Sequence, residues 1–142
     1  MRNCRIFLDT NFLIASQLKK HIFHEKAKNV LEQMYLENSH PVTHSIVFDE
    51  FWYVLKGIEN SKSSVYKKMK LVTEKVFMFK NFCLLQTSLN QTELIDTLDL
   101  AEKYKLRPRD AIIAEIMKKE DIHRIASFDS DFKKIPALKV IH

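Results

Sequence analysis

The sequence predicts an α/β fold, a three-layer α/β/α sandwich on a mostly parallel central sheet, and two observations carry that expectation. Short apolar runs alternate along the chain with longer segments of helical period, the order from which parallel sheets covered by crossover helices are made. The first of those runs, Ile6-Phe7-Leu8, is continuous rather than alternating, so its strand is expected to be buried on both faces.

The first strand is expected over residues 4–8. Asp9-Thr10-Asn11 then offers three capping side chains ahead of Phe12-Leu13-Ile14-Ala15, which opens a helix. A second helix is predicted over about 24–36, with Ala27, Val30, Leu31 and Met34 on one face. Residues 38–41 break it, and a short strand follows near Val42. Ser45 caps a third helix reaching about Lys56, and 61–79 reads as a fourth, Lys-rich on its exposed side. Residues 82–86 form a strand. Leu94, Leu98, Ala101 and Tyr104 recur at helical spacing within 87–104, and Pro108 opens a helix running to about Lys119. The last strands are expected at 123–127 and 138–141, separated by the polar turn Asp129-Ser130-Asp131. With one Gly and three Pro, boundaries rest on periodicity and caps rather than on turn residues. No repeat or linker interrupts the chain, so one domain over residues 1–142 is expected.

A content of 46% hydrophobic and 29% charged residues excludes a disordered or fibrous chain. Asp9 and Asn11 interrupt any signal-peptide core and no long apolar run follows, so a cytoplasmic protein without membrane association is expected. Cys4 and Cys83 stand alone in unrelated apolar contexts, which argues for buried thiols and against a disulfide or Cys-based zinc site. Lys and Arg number 23 against 18 Asp and Glu, a net charge of +5. Setting four acids aside for one site leaves the rest more basic still. That suits a polyanionic substrate held by its phosphates, and equally a solvated Lys-rich surface.

Four acids occupy positions that composition does not explain. Asp9 follows a fully apolar strand and so stands at its carboxyl end, where open α/β sheets bind ligands. A helix N-cap is the competing role, although Thr10 and Asn11 can cap equally well. Glu50 has Ile46, Val47 and Val54 three and four residues away, which predicts an inward face where a carboxylate is costly unless paired or metal-bound. Asp49, among Ser45, Trp52, Tyr53 and Lys56, is expected in solvent. Asp110 shares a stripe with Ile113, Ala114 and Met117 and lies in the first turn of its helix, where the dipole alone also favours an acid. Arg107 and Arg109 flank it, placed to meet substrate phosphates or to stay solvated. Asp129 and Asp131 follow an apolar strand, and turn chemistry accounts for either alone. It does not account for four acids from distant segments, two after strands and two on inward helix faces.

Carboxylates without neighbouring His or Cys ligands favour Mg²⁺ or Mn²⁺ over zinc. His21 and His24 lack a third ligand and read as a solvated turn. One or two such ions activate water and stabilise the leaving oxygen of a phosphodiester, so the acids point to metal-dependent phosphodiester chemistry. Phe51-Trp52-Tyr53 has the aromatic surface to stack bases, but core or dimer contact is its expected use.

The fragments Leu8-Asp9-Thr10-Asn11-Phe12-Leu13-Ile14, residues 45–50, Arg109-Asp110-Ala111-Ile112-Ile113-Ala114 and Ser127-Phe128-Asp129-Ser130-Asp131-Phe132 together resemble the PIN-domain nucleases, particularly the small VapC-like toxins of type II toxin–antitoxin pairs. The resemblance spans most of the chain. It implies a parallel sheet between helices, with Asp9, Glu50, Asp110 and Asp129 around Mg²⁺ or Mn²⁺ and Thr10 and Asn11 in support. Ser127 matches the hydroxyl before the fourth acid, and Asp131 is a secondary acid. The resemblance further implies an endoribonuclease, a homodimer, and inhibition by a partner antitoxin protein. A housekeeping RNA-processing nuclease and a catalytically silent RNA- or protein-binding domain remain open beside it. The Lys-rich segment 58–79 carries no family motif.

Overall fold

In the computed structural model, which describes residues 4–58 and 64–142, five strands form one sheet. They are β1 (Arg5–Leu8), β2 (His40–His44), β3 (Cys83–Leu85), β4 (Arg124–Ala126) and β5 (Lys139–Ile141), in the order β3-β2-β1-β4-β5. Every neighbouring pair is parallel; Phe7, for example, sits opposite Val42 on one side and Ile125 on the other. The helices are α1 (Thr10–Gln17), α2 (His24–Leu36), α3 (Ser45–Ile58), α4 (Val65–Phe77), α5 (Gln91–Tyr104) and α6 (Pro108–Lys119), with a 3-10 turn at Ser130–Lys134. None is long and apolar enough to cross a membrane.

Parallel pairing demands crossovers. The chain steps outward from β1 to β2 to β3 and then returns over both to β4. Right-handed connections therefore place α1 to α4 on one face and α5 and α6 on the other. The packing agrees, since α1 meets α2 and α3, α3 meets α4, and α5 meets α6. With helices on both faces, Ile6, Phe7 and Leu8 are all buried, which is why the β1 run does not alternate. Phe12 and Leu13 of α1, Phe51 of α3, and Ile113, Ile116 and Met117 of α6 fill the two interlayer cores.

Three expectations need correction. The fifth helix starts at Gln91 rather than Thr87, because Asn90 accepts the Glu93 N–H and the Glu93 carboxylate accepts the Asn90 N–H, a reciprocal cap that fixes the boundary. Its apolar stripe is only half used: Ala101 and Tyr104 pack against the core, while Leu94 and Leu98 stay in solvent beside Ile95. Cys83 is exposed on the edge strand β3, and Cys4 is half-buried. The predicted start of the fourth helix at Ser61 lies outside the described residues; its end falls at Phe77.

Candidate active site

The chain leaves β1 toward one side of the sheet and comes back to β4 on the other, so the strand order reverses between these two strands. Carboxyl strand ends at such a reversal diverge and open a crevice. Asp9 is the residue after β1 and Ser127 the residue after β4, and the Asp9 N–H donates to the Ala126 carbonyl at 3.1 Å, carrying the ladder one step beyond β1. Asp9 occupies the N-cap of α1 yet makes no capping bond with its side chain. Its Oδ2 instead accepts the Ser127 hydroxyl at 2.8 Å. Burial pushes the Asp9 carboxyl up to about 6; the Ser127 hydroxyl and Thr10 N–H oppose the rise, and the charges of Asp110 and Glu50 add to it. The ion pairs among the described residues do not include Asp9.

A chain of short-range bonds shapes the loop after β4. Asn11 Oδ1 accepts the Phe128 N–H at 3.0 Å, Ser127 Oγ accepts the Asp129 N–H at 3.0 Å, and Asp129 Oδ1 accepts the Asp131 N–H at 2.9 Å. Phe128 stacks on Phe23 with ring centroids 4.6 Å apart and on Phe12 at 5.9 Å, which pins the loop to α1 and the start of α2. Thr10 turns away from the acids: its hydroxyl donates to the Val47 carbonyl at 3.4 Å and ties α1 to α3.

Pro108 at the first position of α6 sets the helix start, and Asp110 follows in the first turn with 4% exposure. Burial raises its carboxyl; Arg107 opposes, and Asp129 and Asp131 add to the rise. Oxygens of Asp110, Asp129 and Asp131 all lie within 4.8 Å of one another. Asp131, expected as a secondary acid, stands beside Asp129. Lys134 pairs with Asp131 at 2.9 Å, a contact the sequence reading missed although the i,i+3 spacing within the turn after Asp129 was its available signal.

Glu50 does not face the core. Val47, Phe48 and Phe51 take the inward side of α3, and the Glu50 side chain, 36% exposed, stands at the rim, near enough for its charge to act on Asp9. Asp49 is in solvent as expected. Neither flanking arginine is free. Arg109 donates to the Ile46 carbonyl at 3.1 Å and pairs with Asp49 at 3.4 Å and Glu50 at 3.5 Å, bracing α6 against α3. Arg107 reaches Asp110 Oδ2 at 3.2 Å through Nε and Asp129 Oδ2 at 2.9 Å through Nη2. His21 and His24 bind backbone groups: His21 Nδ1 accepts the Phe23 N–H, and His24 Nδ1 contacts the Ala15 carbonyl.

Asp110, Asp129 and Asp131 thus converge from two segments, while Asp9 and Glu50 stand outside that close group, near enough for the charges of Asp110 and Glu50 to act on Asp9. Oxygen ligands of a hard divalent ion stand about 2.0 to 2.6 Å from it, so oxygens up to roughly 5 Å apart can share one ion, and the Asp110, Asp129 and Asp131 group meets that requirement.

Comparison with known proteins agrees with this architecture. VapC20 of Mycobacterium tuberculosis, a Sarcin-Ricin loop cleaving toxin, has a similar structure, with a TM-score of 0.71 over 96% of this chain and 99% of its own at 16% identity. A chain of a toxin–antitoxin complex from Klebsiella pneumoniae gives 0.60 over 96% of each chain at 21% identity. Ribonuclease VapC2 of Methanocaldococcus jannaschii is 27% identical over 146 residues, which span 99% of this chain and 95% of that protein. The family model for the PIN domain matches residues 6–138, from the first buried residue of β1 to the threshold of β5. The chain belongs to the PIN-domain family.

Proposed function

We propose that this protein is a divalent-metal-dependent endoribonuclease, with Asp9, Glu50, Asp110 and Asp129 as its catalytic, metal-holding acids and Asp131 beside them. The observation that supports the reading is the close group of Asp110, Asp129 and Asp131, with Asp9 at the end of β1 near enough to feel the charges of Asp110 and Glu50. Asp9 is the sharpest of them, buried with neutral donors for partners and no cation paired to it among the described residues. All the donors are oxygens, which favours a hard ion such as Mg²⁺ or Mn²⁺ over zinc. When bound, such an ion supplies Lewis acidity, lowering the pKa of an attacking water and offsetting charge on the phosphodiester.

The chain's own residues supply the positioning. Ser127 holds the Asp9 carboxylate by one oxygen, and Asn11 and Ser127 together fix the loop that presents Asp129 and Asp131. Arg109 holds α3 and α6 together so that Glu50 and Asp110 face one space. Arg107 and Arg109 place positive charge at the rim, where the phosphates of a polyanion arrive, and the excess of 23 basic over 18 acidic residues favours that encounter.

RNA as the substrate, and a toxin's role, are supported by the relatives: VapC2 is a ribonuclease by name, VapC20 is a loop-cleaving toxin, and the Klebsiella chain belongs to a toxin–antitoxin complex. On this reading the protein acts in the cytoplasm as a homodimer and is restrained by a cognate antitoxin protein. The purified protein is expected to cut RNA with Mg²⁺ or Mn²⁺ and to stop with chelator or with Asp9→Asn. Cleavage without metal that survives Asp9→Asn overturns the mechanism. Expression is expected to arrest growth, and growth unimpaired by an active enzyme removes the toxin role.

A further inference from the structure

We infer that Arg107 competes internally for the metal site: its guanidinium holds the oxygens that a divalent cation needs, and the cation enters as that fork lets go. The inference rests on the metal-dependent reading above and concerns a residue outside the carboxylate set. Asp129 Oδ1 accepts the Asp131 N–H, so Oδ2 is its oxygen free of that backbone contact, and Oδ2 is the atom Arg107 Nη2 takes at 2.9 Å. Through Nε the same guanidinium takes Asp110 Oδ2 at 3.2 Å. Both acids belong to the group of three whose oxygens converge within 4.8 Å. A guanidinium gripping two of the three carries one positive charge where a bound ion would carry two.

Arg107 is also built to release. Its side chain is 67% exposed, and those two contacts are its hydrogen bonds among the described residues. It precedes Pro108 in extended backbone, so its departure needs side-chain torsions and no change in α6. Arg109 differs in both respects. It is less exposed and is fixed to the Ile46 carbonyl as well as to Asp49 and Glu50, a brace rather than a gate. Once released, the Arg107 fork stands at the rim with its donors open to a phosphate. Metal and polyanion then favour one another, because each draws on a different half of the same ion pair.

The test is Mn²⁺ affinity without RNA, measured by calorimetric titration of the full chain at neutral pH. Arg107→Ala is expected to bind Mn²⁺ about tenfold more tightly than the parent, with Arg107→Lys between them because it keeps charge but loses the fork. Arg109→Ala is expected to give no such gain. Affinity that is equal or weaker in Arg107→Ala overturns the competition while leaving the metal site intact. Failure of the parent and all three variants to bind Mn²⁺ overturns the metal-dependent reading and the competition with it.

Discussion

A carboxylate that is 5% exposed, with the Ser127 hydroxyl and the Thr10 N–H for partners, is costly to ionise, and the cost depends on pH. Asp9 titrates at about 6 in the folded chain and near 3.9 in an unfolded one. Above the higher value it is charged in both states and the full penalty applies, of the order of 3 kcal/mol. As pH falls between the two values the folded state takes up a proton that the unfolded state does not, so stability rises. Below the lower value both forms are neutral and the penalty is gone. Asp9→Asn is therefore expected to melt higher than the parent in chelator above about pH 7, with the gap closing toward pH 4, while losing cleavage altogether. Melts of the pair across that range check it, and a variant less stable throughout sinks the account. Ser127 sits on the same linkage from the other side. Ser127→Ala deprives Asp9 of its donor and the Asp129 N–H of its acceptor, so Mn²⁺ affinity is expected to fall by about tenfold or more. Unchanged affinity would mean that the hydroxyl merely fills space.

At the scale of elements, the chain ends its helices with almost no glycine. Gly57, its one glycine, lies inside α3, and the positive-φ positions among the described residues are taken by Asn38, Asn81, Lys105 and Asp121. Lys105 closes α5 at φ 53° and ψ 50°, a conformation that a residue with a Cβ holds at a cost of roughly 1 to 2 kcal/mol. Lys105→Gly is expected to raise the urea midpoint by the equivalent of about 1 kcal/mol, the gain being trimmed by the added freedom of the unfolded chain. A lower midpoint would show that the lysine side chain contributes more than the turn costs. The same scarcity explains what could and could not be read from sequence. The α2 boundaries were legible because Ala27, Val30 and Met34 mark one buried stripe, and α6 because Pro108 fixes its start. The start of α5 was not, since it depends on a reciprocal bond between Asn90 and Glu93 rather than on hydrophobic period. Asp110 was placed correctly on a buried stripe. Glu50 was misplaced because its flanking apolar residues divide between core and rim, with Val47 buried but Ile46 and Val54 only half-buried. The pairing of Lys134 with Asp131 follows a local i,i+3 spacing inside the turn, whereas the grip of Arg107 on Asp129 is a product of geometry across the crevice, beyond any local pattern.

On the scale of the whole molecule, the acids come from both helix layers and from the ends of the two central strands, so like charges press on the same crevice from independent parts of the fold. Arg107, Arg109 and Lys134 relieve part of that repulsion at its rim, and Asp9 lies beyond their ion pairs. A divalent ion held by Asp110, Asp129 and Asp131 would join α6 to the loop after β4, and an unfolded chain has no comparable site. Binding is then stabilisation, growing as the logarithm of free metal and reaching about 2.7 kcal/mol at a hundredfold excess over the dissociation constant. The urea midpoint of the parent is expected to climb with Mn²⁺ along that curve. Arg107→Ala should begin its climb at lower Mn²⁺, and Asp129→Asn, which weakens the group of three, at much higher. A midpoint indifferent to Mn²⁺ would separate the carboxylates from any role in holding metal, and leave their convergence to be explained by the bracing of α3, α6 and the β4 loop alone.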